Sequence, residues 1–474
     1  MELRIAADSV IGLTAEEKEQ LRELITAYNY HASRNEVKNR YYEGRIRLND
    51  VNLGLALPQG MRGLEIGCAW GAKTVDVLAA RSMFDGFVGE NGTSDDTLNR
   101  IVADNNLIDG YNKGTRDELK IGCAFMTLSA DDKIKCRIRF HSAQQAAALW
   151  NGAKGRIDCG LAIIDTVKDE SEASTYRPSI VNMYTDEAII VLSRKKGSNL
   201  WTAERYPHRM GRPLMEPMIW NATNSKPFGR SRIKEPVRRL IQGYVRTIAN
   251  ATIGLEFATA PQKYLMGVTD DQYDEVIDEK FKQYVGSIIV GTTNPDTGEK
   301  PTFGQLQQGS ISPHVEMIRI LATQFSAATG LSVTDTGVVN DANPTSSDAI
   351  LAQSQTLIGM AEQLNAGNGN ALRNVALMAM AIAENKTIEE LSDEQKSIIA
   401  HFRNPAMPSV AVTADAAIKI ASARQEFAGT DTFLEMIGFD QADIRRIKAQ
   451  EQRLRGQRVL EEIFGENEPQ DEEE

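Results

Sequence analysis

The residues of this 474-residue chain that could do chemistry are few and scattered. Cys68, Cys123, Cys136 and Cys159 lie far apart and never form a C-x-x-C pair. His31, His141, His208, His314 and His401 are isolated in sequence. None of this spacing matches a zinc site, so the thiols are expected to be buried and free and no metal is implied. Gly229-Arg-Ser231 lacks the second glycine of a nucleophile elbow, and its serine reads as a helix cap. His208 has no nearby acid to orient it and reads as a loop histidine satisfied by backbone. No G-x-x-x-x-G-K-[ST] loop is present. That leaves Leu64-Glu-Ile-Gly-Cys-Ala-Trp-Gly71, a short strand pattern running into a glycine turn. Such a turn lets backbone approach a cofactor, and an acid about twenty positions on, here Glu90, would hold ribose hydroxyls.

This segment resembles the first motif of the S-adenosylmethionine-dependent methyltransferases, which have a Rossmann-like fold. Three features weigh against it. Arg62 and Gly63 stand where a buried parallel strand wants Val, Ile or Leu. The middle glycine is Ala69. The following ~130 residues read as β-rich rather than as alternating β and α units. Methyl transfer is kept as the alternative reading, and it requires that Glu65→Ala and Gly67→Ala abolish stabilisation by the cofactor.

Apolar residues make up 42% of the chain and charged residues 25%, with a net charge of −12. No run approaches the ~18 consecutive apolar residues of a membrane helix. The N-terminus has no basic stretch followed by an apolar one, so a cytosolic chain of two to four domains is expected. A protein that grips nucleic acid gains affinity by placing Lys and Arg on phosphates. An acidic chain is not a general nucleic-acid binder. The run Arg445-Arg446-Ile-Lys448…Arg453-Leu-Arg455…Arg458 is interleaved with Gln, Glu and Ala and reads as a solvated, salt-bridged helix face.

The elements that must position these residues follow from patterning. Thr14-Ala-Glu-Glu17 is a capping box that opens a helix with Leu21, Leu24, Ile25 and Tyr28 on one face. From about Gly122 to Trp220 the texture is β. Ile189–Leu192 and Trp201–Tyr206 flank the polar loop Lys195–Asn199 as a hairpin, and Pro207, Pro213 and Pro217 mark edge or terminal strands. Val237, Leu240, Ile241, Tyr244, Ile248 and Leu255 predict a helix that ends before Pro261. Residues 262–311 read as a small mixed insertion with a strand at Tyr284–Val290 and a turn at Asn294–Gly298. A second helix runs from Ser312 as N-cap and Pro313 as N1 to Gly330. A long helical pattern starts near Ser346, and Asn365–Asn370, with Gly367 and Gly369, predicts a kink or break in it. The C-terminal ~65 residues are helical, joined at Pro405 and Pro408. They end in an acidic tail expected to be disordered.

Taken in order, these landmarks resemble the portal proteins of long, flexible-tailed bacteriophages. The matches are Tyr41, Tyr42 and Gly44; Val75, Asp76, Leu78, Ala79, Arg81, Gly86 and Phe87; His208, Gly211 and Pro213; and Gly229-Arg-Ser231. They continue with Glu256, Pro261, Gln262, Lys263 and Gly267; Thr329-Gly330-Leu331; and Asn343, Pro344, Ser346, Asp348 and Ala349. The resemblance implies an α+β portal-type fold. Its parts would be a wing (1–230), stem helix one (231–260), a small α/β clip (261–311) and stem helix two (312–331). A tunnel loop (332–345), a spine helix with a wing return (346–404), a crown (405–465) and the acidic tail (466–474) would follow.

The resemblance also implies a ring of twelve subunits at one capsid vertex, without catalytic residues or cofactor. Double-stranded DNA would pass through it without sequence specificity. Implied partners are the terminase large subunit, the major capsid and scaffolding proteins and the head–tail connector; no membrane is implied. The chain would sit in the virion and, during assembly, in the host cytoplasm. Tunnel-loop channel candidates are Thr334, Asp335, Thr336, Val338, Asn340 and Asp341. Clip docking candidates are Asn294, Asp296, Lys300 and Phe303. The sequence departs from the family pattern at Asn365–Asn370 and in the tunnel loop, which has Asp335 and Asp341 where a lysine is common.

Overall fold

A computed structural model of the chain describes residues 2–47, 65–89, 95–168, 176–194, 200–259, 263–266, 298, 300, 302–305, 310–338, 347–406, 410–439 and 441–465. The loop Lys195–Asn199, the strand expected at Tyr284–Val290, most of the Asn294–Gly298 turn, Glu90 and the acidic tail lie outside these residues. In chain order the first elements are α1 (Ala15–Tyr42), β1 (Arg45–Arg47), β2 (Glu65–Gly67) and α2 (Trp70–Ala79). Next come β3 (Phe84–Val88), α3 (Asp96–Asp104) and α4 (Leu107–Ile121). A β-rich stretch then holds β4 (Cys123–Asp131), β5 (Lys135–Ser142), β6 (Ala146–Asn151), β7 (Arg156–Lys168), β8 (Tyr176–Tyr184), β9 (Ala188–Arg194), β10 (Trp201–Pro207) and β11 (Met215–Ile219). It is followed by α5 (Glu235–Thr259), β12 (Lys263–Met266), β13 (Thr302–Gln305) and α6 (Ser312–Thr329). The rest is α7 (Ser347–Glu384), α8 (Asp393–Lys396), β14 (Ile399–Phe402), α9 (Val410–Ala423), α10 (Asp431–Ile437) and α11 (Gln441–Gly465).

The chain divides into two compact units. One contains Met1–Asn39, Val75–Arg232 and Thr345–Glu474; the other contains Arg40–Thr74 and Ile233–Pro344. In the first unit, strands β6 to β10 form an antiparallel meander in the order β10-β9-β8-β7-β6. The hairpin expected from Ile189–Leu192 and Trp201–Tyr206 is β9 paired with β10, with Ile189 opposite Tyr206. Strands β11, β4 and β5 make a second antiparallel sheet in which β11, carrying Pro217, is an edge. The strand β10, ending at Pro207, is the edge of the larger sheet. Proline has no N–H for a central ladder, which places both strands at edges.

Side chains alternate across each strand, so one sheet serves two cores. Cys159, Leu161 and Ile163 of β7 pack with Val181, Met183, Ile190 and Leu192 against Leu21, Leu24 and Tyr28 of α1 and the N-terminal Leu3 and Ile5. Ala162 of β7 and Ile189 of β9 instead join a larger core built on β3, β4, α4 and α7. The first turn of α1 is fixed as its capping box requires. The Thr14 main-chain N–H donates to Glu17 Oε2 at 2.8 Å, and the Glu17 main-chain N–H donates to Thr14 Oγ1 at 3.3 Å.

α7 corrects one expectation. It is a continuous helix of 38 residues through Asn365–Asn370. Glycine and asparagine are weak helix formers, but propensity is a small term beside tertiary packing. Asn368 is fully buried, and its amide donates to Glu118 Oε2 at 2.8 Å and to the Tyr111 hydroxyl at 3.2 Å, both on α4. Beyond it, Ala371, Leu372, Val375, Ala376, Met378, Ala379, Met380 and Ala381 are all buried, so this half of the helix is enclosed on every side.

The C-terminal helices pack differently. Ala417 and Ile444 are buried, whereas Ile418, Met436, Phe439, Leu454 and Val459 are exposed. The basic run on α11 faces solvent as expected: Arg446, Arg453 and Arg455 are exposed, and Lys448 pairs with Asp431.

Candidate functional site

In the second unit, α5 and α6 pack against each other. Val237, Ile241, Val245 and Ala249 recur every four residues on α5 and are buried, as are Leu321, Ala322 and Phe325 on α6. Gly243 lets the helices close, because a Cβ there would stand 3.2 Å from a Leu321 methyl. α6 begins one residue earlier than expected: Ile311 is the N-cap and Ser312 is already helical, with proline in the first turn. Its end is as expected, with Gly330 left-handed at φ 73° and its N–H donating to the Ser326 carbonyl at 2.9 Å.

On α6, at 100° per residue, Met317 lies about 90° to one side of the seam of Leu321, Ala322 and Phe325, Ile320 about 150° from it near the back of the helix, and Val315 about 70° to the other side. They are 44%, 44% and 46% exposed. The helix therefore offers apolar side chains on both flanks.

Directly after α6 stands the segment that holds most of the tunnel-loop candidates. Thr334–Thr336 form a 3-10 turn closed by Gly337 at φ 77°. Asp335 spends its carboxylate locally: Oδ2 accepts from the Ser332 main-chain N–H at 3.0 Å and from its hydroxyl at 2.7 Å. Thr334 is exposed, while Asp335, Thr336 and Val338 are partly buried. Asn340 and Asp341 lie outside the described residues, as do Asn294 and Asp296 of the clip candidates. Lys300 is exposed, and Phe303 contributes backbone to β13, opposite Leu265 of β12.

The glycine motif at Leu64–Gly71 is placed by structural needs. β2 is three residues long and pairs antiparallel with β1, Ile46 opposite Ile66; β3 pairs antiparallel with β14. A methyltransferase motif needs a parallel strand, so that alternative is set aside. A Cβ on Gly71 would come within 2.0 Å of the Tyr41 carbonyl oxygen, and one on Gly44 within 2.8 Å of the Cys68 carbonyl oxygen. Gly67, the expected cofactor glycine, faces open space. These glycines bring the Tyr41–Gly44 turn against the motif. The Tyr41 hydroxyl in turn accepts from Gln242 Nε2 on α5. Trp70 packs, with tilted rings, against Tyr244 of α5 and Phe325 of α6, whose ring centroids are 4.6 and 4.7 Å away. Its indole N–H donates to the Thr336 carbonyl at 3.2 Å. Burial pushes the neighbouring Cys68 thiol up to about 11.

The remaining candidates are structural. All four cysteines are free and buried. Ser231 is no helix cap: its hydroxyl donates to the Lys120 carbonyl at 2.5 Å, and α5 starts four residues later. His208 Nδ1 accepts weakly from the Met210 N–H at 3.4 Å, and burial lowers its pKa. Among the described residues no group of three or more His, Cys, Asp or Glu could hold a metal. No helix among them is long and apolar enough to cross a membrane. Two features passed unnoticed in the sequence: the aromatic stack on Trp70 and the buried Glu118. The second had a signal, since Tyr111, Thr115 and Glu118 share a face of α4 with i, i+4, i+7 spacing.

The sequence model of the family "Phage portal protein, SPP1 Gp6-like" matches residues 13–457. The chain is a phage portal protein of this family. No curated protein matches it. Similar solved structures include a chain of the virion of a native gene transfer agent particle, with TM-score 0.41, 11% identity and coverage of 75% of this chain and 86% of that one. Another comes from the neck of an empty gene transfer agent particle, with TM-score 0.42, 11% identity and coverage of 76% and 86%. A third comes from the neck of a native particle computed with C12 symmetry, with TM-score 0.42, 10% identity and coverage of 78% and 89%. The portal family is structural.

Proposed function

We propose that this portal protein assembles into a ring of twelve subunits at one capsid vertex. DNA would pass through the ring during packaging and ejection, and the ring would dock the terminase motor and the head–tail connector. The observation that carries the ring is the α5–α6 pair. It buries one seam within the chain and leaves Met317 exposed on one flank of α6, Val315 on the other and Ile320 near the back. A subunit in a closed ring has two different neighbours, one on each side, and needs apolar surface toward both. In this reading α5 and α6 are the stem, 261–311 the clip that meets the motor, 332–345 the tunnel loop, α7 the spine, and α9 to α11 the crown.

The charge supports a conduit. Tight non-specific binding of DNA rests on many Lys and Arg contacts to phosphate, and a wall built that way would stall a moving duplex. A chain of net charge −12 avoids this, and enclosure in a ring replaces affinity. The sequence of 332–345 has no Lys or Arg to clamp a phosphate, and its Asp335 carboxylate accepts from Ser332.

Native mass spectrometry with negative-stain imaging tests the reading. Twelve copies of a 52.3 kDa chain give a particle of about 630 kDa with a central hole. A stable monomer or dimer that persists at high protein concentration would overturn it.

A further inference from the structure

The glycine motif carries a buried tryptophan, Trp70, just before its last glycine. The geometry points to Trp70 as a positioning residue that locks the Ser332–Val338 turn to the α5–α6 pair, so that the base of the loop moves with the two helices as one body. The inference rests on the reading of 332–345 as the channel loop only for its consequence; the lock itself is a property of the single chain.

Trp70 is 4% exposed. Its ring packs against both Tyr244 and Phe325, and buried aromatic contacts of this kind hold a ring in place and add to the area they bury. A ring held this way aims its only polar atom. That atom, Nε1, donates to the Thr336 carbonyl. The turn it grips is internally closed: the N–H groups of Asp335, Thr336 and Gly337 donate to the carbonyls of Ser332, Val333 and Thr334 at 3.1, 3.0 and 3.1 Å.

The chain is therefore held at two points five residues apart. Near the helix end, Leu331 is buried and its carbonyl accepts from the Ser326 hydroxyl at 2.6 Å. At the far side of the turn, the Trp70 indole holds Thr336. With both fixed, the turn between them cannot swing about Gly330, the left-handed glycine at the helix end. Two glycines, one of them in the motif, explain how Trp70 gets there. Gly44 and Gly71 bring the Tyr41–Gly44 turn against the backbone on either side of Ala69, which fixes the start of α2.

The test is amide hydrogen exchange on the full chain, followed at Asp335, Thr336 and Gly337. Trp70→Phe keeps an aromatic ring in the stack and removes the donor. These three amides are expected to exchange about fivefold faster, the loss of one hydrogen bond, while those of Leu321, Ala322 and Phe325 keep their wild-type rates. Unchanged exchange at 335–337 would overturn the lock. Tyr244→Leu, at a half-buried position on α5, is the second variant. It keeps the indole donor and removes one of the two ring contacts, so it is expected to speed the same three amides. If it does not, the stack is not what aims the indole and the coupling to the helix pair fails. If Trp70→Phe also speeds α6, the residue serves the helix pair generally and the inference fails. Native mass spectrometry of the same samples separates the two claims: loss of the ring in the wild-type chain would sink the portal-ring reading and leave the lock standing on exchange alone.

Discussion

Gly67 and Gly71 sit four residues apart in one motif and meet opposite surroundings. A Cβ on Gly71 would overlap main chain, which cannot move aside as a flexible side chain can, whereas Gly67 faces open space. Gly71→Ala is expected to cost at least 1–3 kcal/mol (about the range for overpacking) and Gly67→Ala less than about 0.5 kcal/mol, measured by chemical denaturation. The reverse order would show that the Tyr41 carbonyl is not what excludes a side chain at Gly71. Glu118 carries a second residue-scale prediction. Burial lifts its carboxyl from an ordinary 4.5 to about 8, against a smaller lowering by the Asn368 amide. The folded chain therefore keeps a proton that the unfolded chain releases. Stability from this group is full below about 4.5 and is lost as pH rises to about 8. Burial also raises the Glu216 carboxyl, which adds a slope of the same sign. Glu118→Gln keeps the acceptor for Asn368 and cannot ionise, so its melting temperature should fall less than that of wild type between pH 5 and 8. Equal slopes for the two proteins would show that Glu118 is ionised throughout.

Among the elements, α7 shows where local reading of a sequence stops. Asn365–Asn370 has the composition of a break, and the helix runs through it because Asn368 finds Glu118 and Tyr111 250 and 257 positions earlier in the chain. No window of sequence contains that pairing. Periodicity did locate α1, the β9–β10 hairpin, α5 and α6, because in each the apolar spacing and the capping or turn residues agree. It made no provision for α3 and α4, where β-rich texture was expected to continue from the glycine motif. The site was legible in the same uneven way: Gly330 and the loop after it were placed by the end of a helix pattern, while Trp70 was visible only as part of a motif with another suggested use. A consequence for α7 can be measured. Gly367 has open space where a Cβ would stand, so Gly367→Ala should stabilise the protein by about 0.5–1 kcal/mol through the lower entropy of the unfolded chain. A loss of stability would mean that the helix needs glycine there for a reason outside this chain.

For the whole molecule, the exposed apolar residues are the informative surface. Met317 and Ile320 lie about 60° apart on an exposed flank of α6, and each is 44% exposed. If subunits meet through that flank, Met317→Asp with Ile320→Asp should shift the protein from rings to smaller species on native mass spectrometry. Circular dichroism and the denaturation midpoint of the chain should stay near wild type, since both side chains are exposed. Intact rings from the double variant would move the contact elsewhere, and the C-terminal helices, with Ile418, Phe439, Leu454 and Val459 exposed, would be the next place to look.

The unbroken course of α7 has a mechanical side. Its 38 residues, at 1.5 Å each, make a rod of about 57 Å. A tilt of one degree at one end of such a rod displaces the other by about 1 Å, whereas a break at Asn365–Asn370 would have absorbed it in the joint. By clamping Asn368 to α4, the first unit keeps a lever where the composition would have put a hinge.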